Sequence, residues 1–290
     1  MGISSRQFDI VIPVGPHDLA TVHKVVKYAQ KNVIGHRNIY LLSCDRSIVV
    51  DGAITVDESK APFNKASLAK YFKTEKCRGW PNWHLQQLLK FYAGFFIPDI
   101  LEDYLVIDAD VYFLKPTTFF DENGRCLLAF GAECHQPYFD HMARLHPSLV
   151  KKHQNLSGIC HHMMFNREII IEMIKFITKN NPENFVQVIL RALDESVDSG
   201  MSEYEIYFNY MLEFHPAECA IRKLNWKNTY LIPNKFLELT IFYNQDFVSQ
   251  FNRGGYLKNF LIAKLLRKLR VRTKSARHAS KSFLKRICRI

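Results

Sequence analysis

The chain predicts an α/β fold, a mixed sheet flanked by helices. Short β-branched runs alternate with amphipathic segments, and turn residues separate them. An apolar run at 105–107 directly follows one helical face, which is the signature of crossover connections. No internal repeat and no Gly/Ser linker divides the body.

The elements follow in order. Phe8-Asp9-Ile10-Val11-Ile12-Pro13-Val14 reads as the first strand and stops at Gly15-Pro16. Leu19, Val22, Val25, Val26 and Ala29 give residues 18–33 helical spacing. Residues 38–43 make a second strand, and 48–50 and 53–56 weaker ones. A helix over 83–96 presents Trp83, Leu85, Leu88, Leu89 and Tyr92, and Pro98 ends it. Residues 127–130 and 159–165 read as strands. Helices are expected at 167–179, 183–195 and 203–214. The histidine-rich stretch 135–156 reads as a mobile or acceptor-facing region.

Length and composition narrow the class. At 290 residues, with 48% hydrophobic residues, 22 Phe and 13 Tyr, the chain can bury a sizeable core. No window is long and apolar enough to suggest a membrane span. The first residues show no signal-peptide region, and seven scattered cysteines without a CxxC pair argue against a disulfide framework. A cytoplasmic location with reduced thiols is the expectation. The net charge of +11 is uneven. Residues 251–290 hold 13 Lys and Arg and no Asp or Glu, leaving 26 basic against 28 acidic residues elsewhere. Gly254-Gly255 therefore marks the expected boundary between a 1–253 body and a 254–290 basic tail. Residues 256–272 pattern as an amphipathic helix, with Leu257, Phe260, Leu261, Leu265 and Leu269 on one face. Such a helix suits the surface of an anionic membrane. The apolar face favours that over nucleic acid, for which clustered cations alone would serve.

Four blocks carry chemistry. In Leu105-Val106-Ile107-Asp108-Ala109-Asp110-Val111-Tyr112-Phe113-Leu114 an apolar strand presents two acids at i, i+2, hence on one side. Paired carboxylates near a core need a compensating cation, and a divalent metal carrying a phosphorylated ligand supplies one. On the preceding helix Gln86, Gln87 and Lys90 share a face, so Lys90 could meet a diphosphate. Its bland counterpart is an ordinary solvent-facing stripe. In Ser157-Gly158-Ile159-Cys160-His161-His162-Met163-Met164-Phe165 the adjacent histidines point to opposite faces. One faces the site as a metal or hydroxyl ligand, and the other is a core histidine satisfied by backbone. Ser202-Glu203-Tyr204-Glu205 fits a capping box in which Glu205 reaches back to the cap. Glu203 then becomes the preferred general base, with Glu205 second.

Together these blocks resemble the nucleotide-sugar glycosyltransferases of the GT-A fold, a Rossmann-like architecture. They are most similar to a bacterial and large-virus group with a Trp-x-x-Gln-Gln-x-x-Lys helix, here Trp83, Gln86, Gln87 and Lys90, before the DxD. The set also resembles chlorella-virus glycosyltransferases that build capsid glycans, a xylosyltransferase among them. The resemblance covers roughly residues 8–245. It implies a UDP-sugar donor (UDP-xylose, UDP-glucose or similar), a glycan hydroxyl acceptor, and Mn²⁺ or Mg²⁺. It implies Asp110 as metal ligand and Asp108 on the ribose or on the metal through water. His161 or His162 would line the sugar or complete the metal sphere, Gln87 and Lys90 would lie on the donor side, and Pro13 and Val14 beside the base. An inverting reaction would use Glu203, whereas a retaining one would need no base. A haloacid-dehalogenase-type phosphotransferase also places DxD after a strand, but Tyr112 stands where Thr or Val is wanted. A non-enzymatic membrane or nucleic-acid adaptor leaves the paired acids unexplained.

Overall fold

In chain order the elements are β1 (Phe8–Pro13), α1 (Val22–Asn32), β2 (His36–Ser43), β3 (Ile54–Asp57), α2 (Lys65–Ala69), α3 (Pro81–Phe96), β4 (Asp103–Ile107), β5 (Val111–Phe113), β6 (Cys126–Ala129), α4 (Gln136–Leu145), β7 (His162–Asn166), α5 (Arg167–Ile177), α6 (Phe185–Arg191), α7 (Glu203–Phe214), β8 (Cys219–Arg222), β9 (Trp226–Thr229) and β10 (Leu239–Phe242). They come from a computed structural model that describes residues 6–74, 81–197, 199–229 and 239–242. The expected boundary at Gly254 and the amphipathic tail lie outside the described residues.

The central sheet has the order β3-β2-β1-β4-β7, parallel except for β7. The mixed α/β class is therefore what the structure shows. Every residue of β1 and β4 is buried, as a strand covered by layers on both faces requires. Each apolar side chain so buried contributes about 1.5–3 kcal/mol. Helix α1 seats Val22, Val25, Val26 and Ala29 in the core, the i, i+3, i+4, i+7 stripe of an amphipathic helix. Two smaller sheets, β5-β10-β9 and β6-β8, complete the architecture. The five described cysteines are free thiols. Among the described residues no helix is long and apolar enough to cross a membrane.

Local signals fix the helix starts. Pro81 opens α3, where a missing N–H costs nothing. The Asn166 side chain accepts from the Ile169 N–H to start α5, and the Ser202 hydroxyl accepts from the Glu205 N–H to start α7.

Several expectations are corrected. Residues 48–50 form no strand, and 183–195 shortens to α6. The histidine-rich stretch is not mobile at its start: α4 buries Tyr138, Phe139, His141, Met142 and Leu145. His141 meets the Ile189 carbonyl at 2.9 Å, and burial lowers its pKa to about 4, so it is a neutral core residue. Polar residues interleaved between those apolar positions hid a 3.6-residue period.

Candidate active site

The acid pair does not lie on a strand. Strand β4 ends at Ile107, and the Val111 N–H donates to the Asp108 carbonyl at 3.0 Å, closing a turn over Asp108-Ala109-Asp110. This turn, not strand alternation, brings the two carboxylates to one side. The sharp reversal is anchored across the sheet edge, where the Asp108 N–H donates to the His161 carbonyl at 3.0 Å.

His161 itself has φ +62°, in the left-handed region that few non-glycine residues enter. Its ring Nδ1 lies 3.2 Å from an Asp108 carboxylate oxygen. His162 begins β7 and points the other way, into the core. There its Nδ1–H donates to the Cys160 carbonyl at 2.9 Å, and its ring packs edge-on to Phe113 and Phe119. Burial lowers its pKa to about 3. The two rings do face opposite ways, but His161 precedes β7 in a left-handed conformation, so this backbone reversal and not strand alternation separates them, and His162 is withdrawn as a donor-site or metal ligand.

Helix α3 delivers Lys90 beneath the turn. The Lys90 ammonium donates to Asp108 at 2.7 Å and to Glu203 at 2.6 Å, and its side chain is 5% exposed. It also lies 4.3 Å from the Tyr204 ring centroid, and the Tyr204 hydroxyl donates to Asp108 at 2.8 Å. Burial alone would lower the Lys90 pKa, but the two carboxylates outweigh it and hold the charge firmly in place. Asp108 is correspondingly held well below the usual carboxylate range. Burial opposes this, but the Lys90 and His161 charges overcome it.

Glu203 and Glu205 occupy different surroundings from those the sequence suggests. Glu203 is 3% exposed, with one oxygen on Lys90, and its backbone N–H donates to the Gln87 side chain at 3.2 Å. There its carboxylate is closed off from solvent and paired with the Lys90 ammonium. Glu205 does not reach back to its cap: its carboxylate accepts from the Ser157 hydroxyl and from the Asn209 side chain. Lys90 and Gln87 are likewise brought to the acids: the Lys90 ammonium is shared between Asp108 and Glu203, and the Gln87 side-chain oxygen accepts from the Glu203 N–H. Pro13 and Val14 stand at the end of β1, where Val11 pairs with Val106, and so at the same end of the sheet as Asp108.

Asp110 is the exception in this network. Its Oδ1 is buried without a hydrogen-bond partner among the described residues. Burial first, then the charge on Asp108, pushes its pKa up to about 7. One ligand atom each from Asp108, Asp110 and His161 lies within 4.8 Å of the others. Carboxylates with an imidazole form a donor set suited to a divalent cation, and an orphaned buried oxygen is what such an ion would satisfy.

Three further site residues escaped the sequence reading. Asp18 is half-buried and accepts from the Gly15 N–H at 2.9 Å. Burial and then Asp108 raise its pKa, and its charge adds to the field on Asp110. A Gly-Pro turn after β1, at the carboxyl end of the sheet, was the available signal. Tyr204 lies between Glu203 and Glu205, and the capping pattern there assigns it no role. Trp226 lies edge-on to His161 at 5.9 Å, with its indole N–H on the Phe130 carbonyl at 3.1 Å; nothing local in the sequence marks it.

Residues 4–242 match a family of unknown function, DUF6492. No curated protein matches the chain. Among solved structures, apo mouse xyloside xylosyltransferase 1 is similar at a TM-score of 0.43 and 11% identity, over 81% of this chain and 97% of that one.

Proposed function

The chain belongs to DUF6492, a family of unknown function, so its activity must be read from the site. We propose that it is a metal-dependent glycosyltransferase that moves a sugar from a UDP-sugar to a glycan hydroxyl. The observation that carries this reading is the Asp108, Asp110 and His161 cluster with its unpartnered Asp110 oxygen. The cluster stands at the carboxyl end of a mostly parallel sheet, where open α/β folds bind ligands.

Asp108, Asp110 and His161 would hold Mn²⁺ or Mg²⁺. Such an ion, when bound, supplies Lewis-acid neutralisation of a departing diphosphate. The chain's own residues prepare that site. Lys90 and the Tyr204 hydroxyl keep Asp108 ionised and fixed. Asp108 in turn fixes the His161 ring through Nδ1 and leaves its other nitrogen for a ligand. Glu203 anchors Lys90, and Gln87 anchors the start of α7 beneath Glu203. These four residues position the ligands and do not touch the sugar. The inverting expectation rested on Glu203 as base. With that acid sealed, the stereochemistry is decided by the anomeric configuration of the product.

The test is a screen of nucleotide sugars for cation-stimulated release of the nucleotide, repeated with Asp110→Ala. Release that depends on Mn²⁺ or Mg²⁺, and that falls roughly a hundredfold or more in the variant, is expected. No stimulation with any nucleotide sugar, or undiminished turnover in Asp110→Ala, would sink the reading.

A further inference from the structure

Residues 157–161 carry His161 to the acid pair, and the chain clamps this short segment from two sides. On one side Gly131 exchanges backbone hydrogen bonds with Ser157, at 2.8 and 3.1 Å. A Cβ at Gly131 would come within 2.2 Å of the Ile159 carbonyl oxygen, so only glycine fits there. On the other side the segment presses on the first turns of α7. A Cβ at Gly158 would come within 2.6 Å of the Tyr204 carbonyl oxygen and 2.7 Å of the Phe208 Cβ, so glycine is required again.

Glu205 fastens this second side. One of its carboxylate oxygens accepts from the Ser157 hydroxyl, and the same hydroxyl accepts from the Ile159 N–H at 3.0 Å. The other oxygen accepts from the Asn209 side-chain amide at 3.1 Å. Asn209 is itself fixed: its amide also donates to the Glu205 carbonyl at 2.9 Å, and its side-chain oxygen accepts from the Lys152 N–H at 2.9 Å. Glu205 is 1% exposed and Ser157 is fully buried. A buried carboxylate whose side-chain donors are a hydroxyl and an amide, both neutral, costs stability. Helix capping does not account for it, because the Ser202 hydroxyl already serves the start of α7.

The residue with the unusual backbone lies at the end of this clamp. His161 sits at φ +62°, a conformation that costs energy for a residue with a Cβ and persists where the surroundings fix it. They do so from both ends. The His161 carbonyl accepts from the Asp108 N–H at 3.0 Å, and Ser157 to Cys160 are held between Gly131 and α7. The result is an imidazole with Nδ1 at 3.2 Å from an Asp108 carboxylate oxygen.

We propose that Glu205, acting through the Ser157 hydroxyl, is a positioning residue for His161: it holds residues 157–160 in the conformation that turns the His161 imidazole onto the acid pair. The inference rests on the cation site proposed above. Glu205 contributes no ligand atom to that cluster, so its effect reaches the ion through the backbone of the segment. Groups that orient a metal ligand from behind typically change metal affinity by about ten- to a hundredfold.

The experiment compares the full chain with Ser157→Ala, Glu205→Gln and Arg37→Ala. Ser157→Ala removes the hydroxyl bridge. Glu205→Gln keeps the shape and one acceptor for Ser157, but turns an amide N–H toward the Asn209 amide. Arg37→Ala weakens the fold at the far end of the sheet and so controls for destabilisation alone. Mn²⁺ affinity is followed by water-proton relaxation. The His161 ring is followed by nitrogen NMR of the histidine-labelled, cation-free protein, with His161→Asn identifying its signals. Ser157→Ala should weaken Mn²⁺ binding about tenfold or more, and should move the His161 nitrogens from the pattern of a fixed Nδ1–H tautomer toward that of a mobile ring. Glu205→Gln should do the same to a smaller degree, and Arg37→Ala should change neither. Unaltered Mn²⁺ affinity and unaltered His161 signals in both clamp variants overturn the inference, as does an equal loss in Arg37→Ala. If the parent chain binds no Mn²⁺ while Ser157→Ala still displaces the His161 signals, the cation reading falls and the clamp stands. If the parent chain binds Mn²⁺ and both clamp variants match it, the clamp falls and the cation reading stands.

Discussion

Carboxylates stand at both ends of the central sheet, on β1 and β4 at the amino end and in the turn after β4 at the carboxyl end, and the two ends treat them differently. At the amino end, Asp9 is fully buried and accepts four hydrogen bonds, two from the Arg37 guanidinium and one each from the Asn38 and Leu101 N–H groups. Asp103, at the start of β4, is clamped by the Arg6 guanidinium and by Asn166. At the carboxyl end Asp108 is equally well held, but Asp110 retains a buried oxygen with no partner. A structural acid is satisfied by the chain alone, because burying an unpaired charge is expensive. An acid left short of donors beside a second acid and a histidine is a place for a ligand.

This contrast can be broken in four ways. Lys90→Met should have the largest effect, because it leaves Asp108 and Glu203 buried without a cation. A loss of about 3–5 kcal/mol in urea unfolding at neutral pH is expected, and a loss near zero would show that the pair is not needed. Arg37→Ala should cost about 3 kcal/mol by the same measurement, since it strips a buried Asp9 of its counter-charge.

Asp110→Asn should do the opposite. Removing a poorly compensated acid should raise stability by about 1–2 kcal/mol at pH 8 without added metal, while cation-dependent thermal stabilisation disappears. A destabilised Asp110→Asn would place Asp110 with Asp9 among the structural acids.

The smallest effect is the pH dependence. The folded pKa of Asp110, about 7, lies above its ordinary value of 3.8. Between about pH 4 and pH 7 the folded chain keeps a proton that the unfolded chain releases. Its contribution is therefore present at acid pH and lost as the pH rises through about 7. Melting temperatures of the cation-free protein should fall across this window more steeply than those of Asp110→Asn. Saturating Mn²⁺ should flatten the difference, and parallel curves would contradict the assignment.

Much of this arrangement is legible in the chain. The Ser202 cap places the start of α7, and the 3.6-residue period places α1 and α3. That the adjacent histidines face opposite ways is legible too, although the left-handed backbone at His161, just before β7, and not strand alternation separates them. Other readings failed for identifiable reasons. The apolar continuation Val111–Leu114 suggested one long strand, although a turn at Asp108–Asp110 interrupts it. Glu205 matched a capping-box pattern, yet Ser157 and Asn209, brought in by packing, take its carboxylate instead. Asp18 and Trp226 lie far from the motif in sequence and reach the site through the turn after the central strand β1 and the Phe130–Gly131 segment.

The sequence by itself determined which groups can do chemistry: a pair of acids, a histidine, a lysine and an aromatic helix face. It also determined the alternating elements that carry them, because hydrophobic period and capping are local properties. Only the tertiary structure decided which charges are free. Lys90 meets Glu203 across 113 positions of sequence, and that one contact converts an apparent base and an apparent diphosphate ligand into supports. Burial and charge pairing depend on what packs from elsewhere in the chain, so the unpartnered oxygen of Asp110 and the pairing of Glu203 with Lys90 emerge only when the helices close over the sheet.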